Sequence, residues 1–260
     1  MIDTHSHLDD PAFDADRPMA LQRAHQAGVT RQIIPAIAQA SWSRLAEVCT
    51  TYSGLYPAYG LHPCYLPEHR PADLITLVHW LDSHPAVALG ECGLDGYLAN
   101  LDMAQQHSYF IAQLRLARER ELPVICHARR AVDDVLKQLR RIGGLTGVVH
   151  SFSGSEQQAH QLLNLGFFLS FGGPLTYPRA QRLRRLAQTL PLDCLMVESD
   201  APDQPNCGRQ GSRNEPAFLT EVVATLAQLR NLPAEDIMTA TTANAIRLFR
   251  LPPYEQLACY

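Results

Sequence analysis

Residues 1–10 read MIDTHSHLDD, with His5 and His7 two positions apart at the end of the chain's first apolar stretch. In a β-strand the side chains alternate faces, so residues i and i+2 point the same way, roughly 6 to 7 Å apart along the backbone. Two neutral imidazoles on that spacing converge on one point. Taken alone, the triplet favours a solvated turn, because Asp9-Asp10-Pro11 follows at once. What decides its meaning is how the other apolar stretches of the chain end.

Short apolar runs alternate with longer amphipathic segments throughout, the pattern of βα units around a parallel sheet. Strands are expected at Ile2–His5, Arg31–Pro35, Tyr56–Gly60, Ala86–Glu91, Pro123–His127, Gly147–His150, Phe167–Phe171 and Leu195–Asp200. Helical patterns lie between them, such as AVDDVLKQLRRIGG and SEQQAHQLLNLG, and EPAFLTEVVATLAQLRN follows the eighth strand. Eight such units in about 250 residues have the size of a (β/α)8 barrel, although a doubly wound open sheet carries similar local signals.

Counting strands cannot separate the two, but five of the strands end in metal-competent side chains. His5 and His7 end the first strand, Glu91 the fourth in VALGECGLD, His127 the fifth in LPVICHARR, His150 the sixth in GVVHSFSG and Asp200 the eighth in LMVESDAP. A closed barrel collects these ends on one rim, where active sites of that fold form. His127 and His150 read singly as core histidines as well as they read as ligands. Glu91 and Asp200 speak more strongly, because a carboxylate left unpaired after an apolar strand carries a large desolvation cost. Four histidines and two carboxylates exceed the three or four protein ligands of one catalytic zinc, which suggests two divalent ions sharing Glu91. By ligand type such a site prefers Zn, Mn, Co or Ni, with Mg able to support turnover when supplied.

Composition narrows the rest. With 260 residues, 46% hydrophobic and 18% charged, the chain can bury one large core, expected over 1–251 with a short tail at 252–260. A net charge of −4 excludes a protein that coats nucleic acid nonspecifically, so a nucleic-acid substrate needs local basic groups. No apolar run approaches a membrane span and no secretory signal opens the chain, which makes a cytoplasmic protein without membrane contact or an obligate protein partner the expectation. Seven cysteines without a C-x-x-C pair argue against disulfides and a zinc ribbon. Lys137 is the only lysine and lies in a helical pattern, so Schiff-base chemistry, a P-loop lysine and a carbamylated lysine bridge would all depend on a residue expected to face solvent.

The stretches DTHSHLD, YGLHP, GECGLD, LPVICHARRA, GVVHSFSGS, GGPLTYPRA, VESDAPD, RNEPAFL and ANAIRLF, running in family order over about residues 1 to 250, resemble the TatD family of metal-dependent hydrolases, more closely its YjjV-like branch. The resemblance implies a (β/α)8 TIM barrel of amidohydrolase type and a divalent-metal-dependent nuclease, notably a 3′ to 5′ exonuclease on single-stranded DNA. It implies that His5, His7 and Asp200 hold one ion, that His127 and His150 hold the other, and that Glu91 bridges. Cys92, Ser151, Ser199 and Arg130 depart from the usual family text without removing a proposed ligand.

On this reading Asp200 and Glu91 are the catalytic carboxylates, with Asp200 taking the proton of the attacking water. Glu198, two residues before Asp200, orients a ligand from behind or serves as an internal hydrogen-bond acceptor. Arg129 shares a face with His127 and reaches a phosphate. His62 in YGLHP contacts substrate or a ligand at the rim. The run Arg182, Arg184, Arg185 reads as a solvated helix face, and Tyr97 and Tyr177 as loop packing more readily than base-stacking platforms. The same metal set also suits a hydrolase of a non-nucleic-acid amide or ester, or of aminoacyl-tRNA esters, since specificity lies in the loops. A barrel that merely binds metal or a partner would have to maintain six uncompensated ligands without chemistry.

Overall fold

A computed structural model describes residues 1–252. Its eight strands are β1 (Ile2–Asp3), β2 (Arg31–Pro35), β3 (Leu55–Tyr59), β4 (Ala88–Asp95), β5 (Val124–Arg129), β6 (Gly147–Val149), β7 (Phe167–Phe171) and β8 (Leu195–Val197). They lie in one sheet in chain order, each parallel to the next. Backbone bonds from Thr4 N to Val197 O (3.1 Å) and from Asp200 N to His5 O (2.9 Å) draw the first and last strand ends together. The result is a (β/α)8 TIM barrel, and the open sheet is excluded.

The helices are α1 (Arg17–Gln26), α2 (Trp42–Thr51), α3 (Pro71–Ser83), α4 (Met103–Glu119), α5 (Val132–Ile142), α6 (Glu156–Asn164), α7 (Gln181–Thr189), α8 (Leu219–Arg230) and α9 (Ala234–Phe249). Local chemistry accounts for their limits. In α5 the buried Val132, Val135, Leu136 and Leu139 fall on one stripe at spacings of three and four, the face that packs on the barrel. Asp133 and Asp134 in the first turn and Arg140 and Arg141 in the last oppose the helix dipole, and Gly143 at φ 65° stops it. Ser155 and Gln158 exchange side-chain and backbone bonds of 2.8 and 3.2 Å to cap α6.

Two strands, β2 and β7, match their expected limits, and the largest differences elsewhere sit at the rim. β1 and β8 stop early because Asp3 Oδ1 takes the amides of His5 (3.2 Å) and Ser199 (2.9 Å), withdrawing both chains from the ladder. β4 instead runs four residues past its expected end. A further difference is α9, which has no counterpart among the expected helical segments. Inside the barrel, Ile2, Ile33, Ala58, Ala88, Ile125, Val148 and Met196 form a core closed by Ala245, Leu248 and Phe249 of α9. A second apolar layer joins the outer strand faces to the helices. The expected tail lies outside the described residues except for Pro252.

Candidate metal centre

The centre is built around a kink in β4. Pairing steps from Leu89↔Val124 to Cys92↔Cys126, so β4 holds one extra residue across Gly90 and Glu91. Such a bulge re-aims a side chain. Beyond it, β4 and β5 approach so closely that a Cβ on Gly93, at φ 153°, would stand 2.0 Å from the His127 carbonyl oxygen. Only glycine permits that contact, and it sets Glu91 against the His127 ring.

Glu91 is 2% exposed and meets five imidazoles. Its Oε1 lies 2.7 Å from His150 Nε2, 2.9 Å from His62 Nε2 and 3.0 Å from His127 Nδ1. Its Oε2 lies 3.0 Å from His5 Nε2 and 3.8 Å from His7 Nε2. Asp200, in a left-handed turn at φ 56°, places Oδ1 3.6 Å from both His5 and His7. The donor atoms of His5, His7 and Asp200 fall within 4.8 Å of one another, and so do those of Glu91, His127 and His150.

Hydrogen-bond partners assign the ring tautomers. His7 Nδ1 donates to Pro35 O (3.1 Å), which leaves Nε2 facing the centre. His127 Nε2 donates to Asp95 Oδ2 (2.9 Å), which leaves Nδ1 facing it. His62 differs: its Nδ1 accepts from the Cys64 amide (3.1 Å), so its Nε2 carries the proton and donates to Glu91. His5 Nε2 and His7 Nε2 are 3.2 Å apart, as are His127 Nδ1 and His150 Nε2. Nitrogen lone pairs at that distance repel unless a cation or a proton lies between them. The donor set therefore fits divalent metal ions, held by imidazole and carboxylate together.

The charge field agrees. Burial pushes the Glu91 carboxyl up, but His150, His62 and His5 overcome it and hold the group well below the usual range. Burial lowers His7 and His127, yet Asp200 raises His7 to about 9, and Asp95, Cys64 and Glu91 raise His127 to about 10. His62 moves the other way, to about 4, because burial dominates. It stays a neutral donor across the physiological range.

The remaining expected residues divide. Glu198 is fully buried; its Oε1 accepts from the Ser151 amide (2.6 Å) and stands 3.6 Å from His150 Nδ1. Arg129 lines the cavity above the centre with its guanidinium 3.7 Å over the Tyr97 ring, and among the described residues it meets no carboxylate. Tyr177 donates to Pro205 O (2.9 Å) and packs the rim. Arg182 and Arg185 are exposed on α7, as a solvated face requires, while Arg182 and Arg184 also donate to Ser153 O (2.7 Å) and Leu175 O (3.0 Å). Lys137 is exposed on α5.

Three polar residues escaped the sequence reading. Asp95 orients His127, and its signal was the alternation Glu91, Gly93, Asp95 along one strand face. Asp3 gathers the β1 and β8 ends. Gln204 donates to Asp200 Oδ2 while accepting from Ser151 Oγ (2.9 Å), a loop contact without a local signature. The cavity measures about 790 Å³ and is bordered by Arg44, Tyr65, Arg129 and Phe152 as well as the acids Asp9 and Asp203.

A TIM barrel with imidazoles and carboxylates gathered at its strand ends defines a metal-dependent hydrolase. The chain belongs to the TatD family, since the model of the TatD related DNases matches residues 2–250. It is 42% identical over 254 residues to the uncharacterized metal-dependent hydrolase YjjV of Escherichia coli K12, covering 96% of this chain and 98% of that protein. The crystal structure of Escherichia coli YjjV, a TatD homologue, superposes with a TM-score of 0.94 at 41% identity, covering 97% and 98% of the two chains. A relative from Erwinia billingiae, named 3′-5′ ssDNA/RNA exonuclease TatD, is 34% identical over 261 residues, covering 97% of this chain and all of that one. No helix among the described residues is long and apolar enough to cross a membrane.

Proposed function

We propose that this chain, acting as one barrel unit over 1–251, hydrolyses phosphodiester bonds at the 3′ end of single-stranded DNA. His5, His7 and Asp200 would hold one divalent ion and His127 and His150 a second, with Glu91 between them. The observation that carries this reading is the division of Glu91: Oε1 faces His127 and His150, while Oε2 faces His5 and His7. Divalent ions bound there supply Lewis acidity and bring a water's pKa toward neutrality.

The chain's own groups do the rest. Asp200, with Oδ1 turned to the centre and Oδ2 held by Gln204, takes the proton of the attacking water. Glu198 braces the β6 end and, through it, His150. His62, a fixed N–H donor, turns from Glu91 to a phosphoryl oxygen. Arg129, held over Tyr97, offers its fork of donors to the next phosphate. A cavity of this size takes the end of a strand rather than a duplex. The relative named as a single-strand exonuclease supports the same substrate class.

The test is hydrolysis of single strands labelled at either end, and of a closed circle, by protein of measured metal content with and without chelator. Loss of label from the 3′ end, abolished by chelator and absent on the circle, is the expected result. No phosphodiester cleavage at full metal occupancy defeats the nuclease reading, and amide or aminoacyl-ester substrates become the next to assay.

A further inference from the structure

Asp95 carries an arrangement that orienting His127 does not require. Its Oδ1 accepts the amides of Tyr97 (2.8 Å) and Leu98 (3.0 Å). Its Oδ2 accepts from His127 Nε2 at 2.9 Å and also from the Cys64 thiol at 3.3 Å. Both donors on that oxygen belong to metal-binding residue types. A tetrahedral ion with bonds of about 2.0 to 2.3 Å to N, O and S separates its ligands by about 3.3 to 3.6 Å. The observed spacings need to open by only a few tenths of an ångström. The ligand atoms of His62, Cys64 and His127 lie within 4.8 Å of one another. Cys64 is half-buried and lines the cavity, so an ion can reach it from solvent.

We infer that Cys64, Asp95 and His127 form a separate site for a thiophilic divalent cation such as Zn²⁺ or Cd²⁺, exclusive of an ion held through His127 Nδ1. The exclusion follows from one ring. A neutral imidazole has one free lone pair, on Nδ1 while Nε2–H donates to Asp95. Binding at Nε2 moves the ring proton to Nδ1 and removes that nitrogen from the centre around Glu91. The Cys64 S–H bond breaks, sulfur bonds the cation, and that proton leaves to solvent. Asp95 Oδ2 exchanges two hydrogen bonds for one bond to the ion. Starting from the Mn²⁺-loaded protein, in which the His127 ring is neutral, Cys64 and His127 together release one proton per cation, and the site's charge is balanced by thiolate and carboxylate. Mg²⁺, which favours oxygen ligands, does not compete for it. The thiol site goes beyond the proposed function; the exclusion and its inhibitory consequence rest on it.

The experiment titrates Cd²⁺ into the full-length protein loaded with Mn²⁺. Three results are expected: thiolate-to-cadmium charge-transfer absorption that the Cys64→Ser variant lacks, protection of Cys64 from iodoacetamide in peptide mapping, and release of bound Mn²⁺. Each rate being taken relative to its own Mg²⁺-supported value, Cd²⁺ should inhibit the wild type at least about tenfold more strongly than Cys64→Ser. Alkylation of wild-type Cys64 undiminished at saturating Cd²⁺, or identical spectra for the two proteins, overturns the site. Retention of all Mn²⁺ with Cys64 protected overturns the exclusion. Absorption and protection are read without turnover, so a wild type that cleaves no strand would defeat the nuclease reading and leave the site decided by its own data.

Discussion

At Asp95 a single carboxylate collects four donors, two backbone amides, an imidazole and a thiol, and so fixes which nitrogen of His127 faces Glu91. Replacing it with asparagine removes the charge that holds the Nε2 proton. Asp95→Asn should weaken metal binding about 10 to 100-fold, read by competition with a chelator, with little change in Tm. Unchanged affinity would show that packing alone sets the ring. Protons compete at the same nitrogens. His7 and His127, held to about 9 and about 10, are imidazolium at neutral pH in the absence of metal. Each ion they take up therefore expels protons, and its affinity must rise with pH until those values are reached. Between about pH 6.5 and 8.5 the apparent affinity should climb about tenfold per unit for every ring proton displaced, measured with the same chelator. An affinity flat over that range would contradict the electrostatics described above.

At the scale of the elements, β4 and α9 have opposite duties. β4 shapes the centre: its bulge aims Glu91, and its close approach to β5 depends on Gly93. A methyl there meets the His127 backbone, so Gly93→Ala should cost about 3 kcal/mol and reduce bound metal, seen as a lower Tm together with a changed metal-to-protein ratio. α9 shapes nothing at the rim. Phe249 closes the apolar end of the barrel among Ile2, Ile33 and Met196. Phe249→Ala should cost about 3 to 5 kcal/mol by opening a cavity, yet keep its metal content and activity at a temperature where it remains folded. A loss of metal in that variant would mean that the two ends of the barrel are coupled.

For the whole molecule, the centre doubles as a clasp. Its imidazoles and carboxylates come from the ends of β1, β4, β5, β6 and β8, so ions held among them would join strands distant in the chain. Ions that bind only the folded barrel add about 2.7 kcal/mol at a concentration one hundred times Kd. Chelation should accordingly lower Tm by several degrees, and Mn²⁺ should restore it in thermal melts. A Tm indifferent to chelator would mean that the barrel is organised without its ions.

Much of this was legible before any coordinates. Alternating apolar runs placed the strands, because burial on both faces of a parallel strand leaves a local record. His5, His7, Glu91, His127, His150 and Asp200 stood out because polar groups at the ends of apolar strands contradict their surroundings. Other features left no such record. Asp95 lies four residues past the expected end of its strand, α9 has no counterpart among the expected helices, and the pairing of His62 with Glu91 links chain positions 29 residues apart. The periodicity of the chain determined the strands and the identity of the polar residues at their ends, since both depend on side chains and their nearest neighbours, while closure of the barrel required the contacts between the first and last strand ends. Only the closed tertiary structure decided which nitrogen of each ring faces Glu91 and how the carboxylate divides between two groups of donors, because those depend on distances between strands that no local pattern encodes.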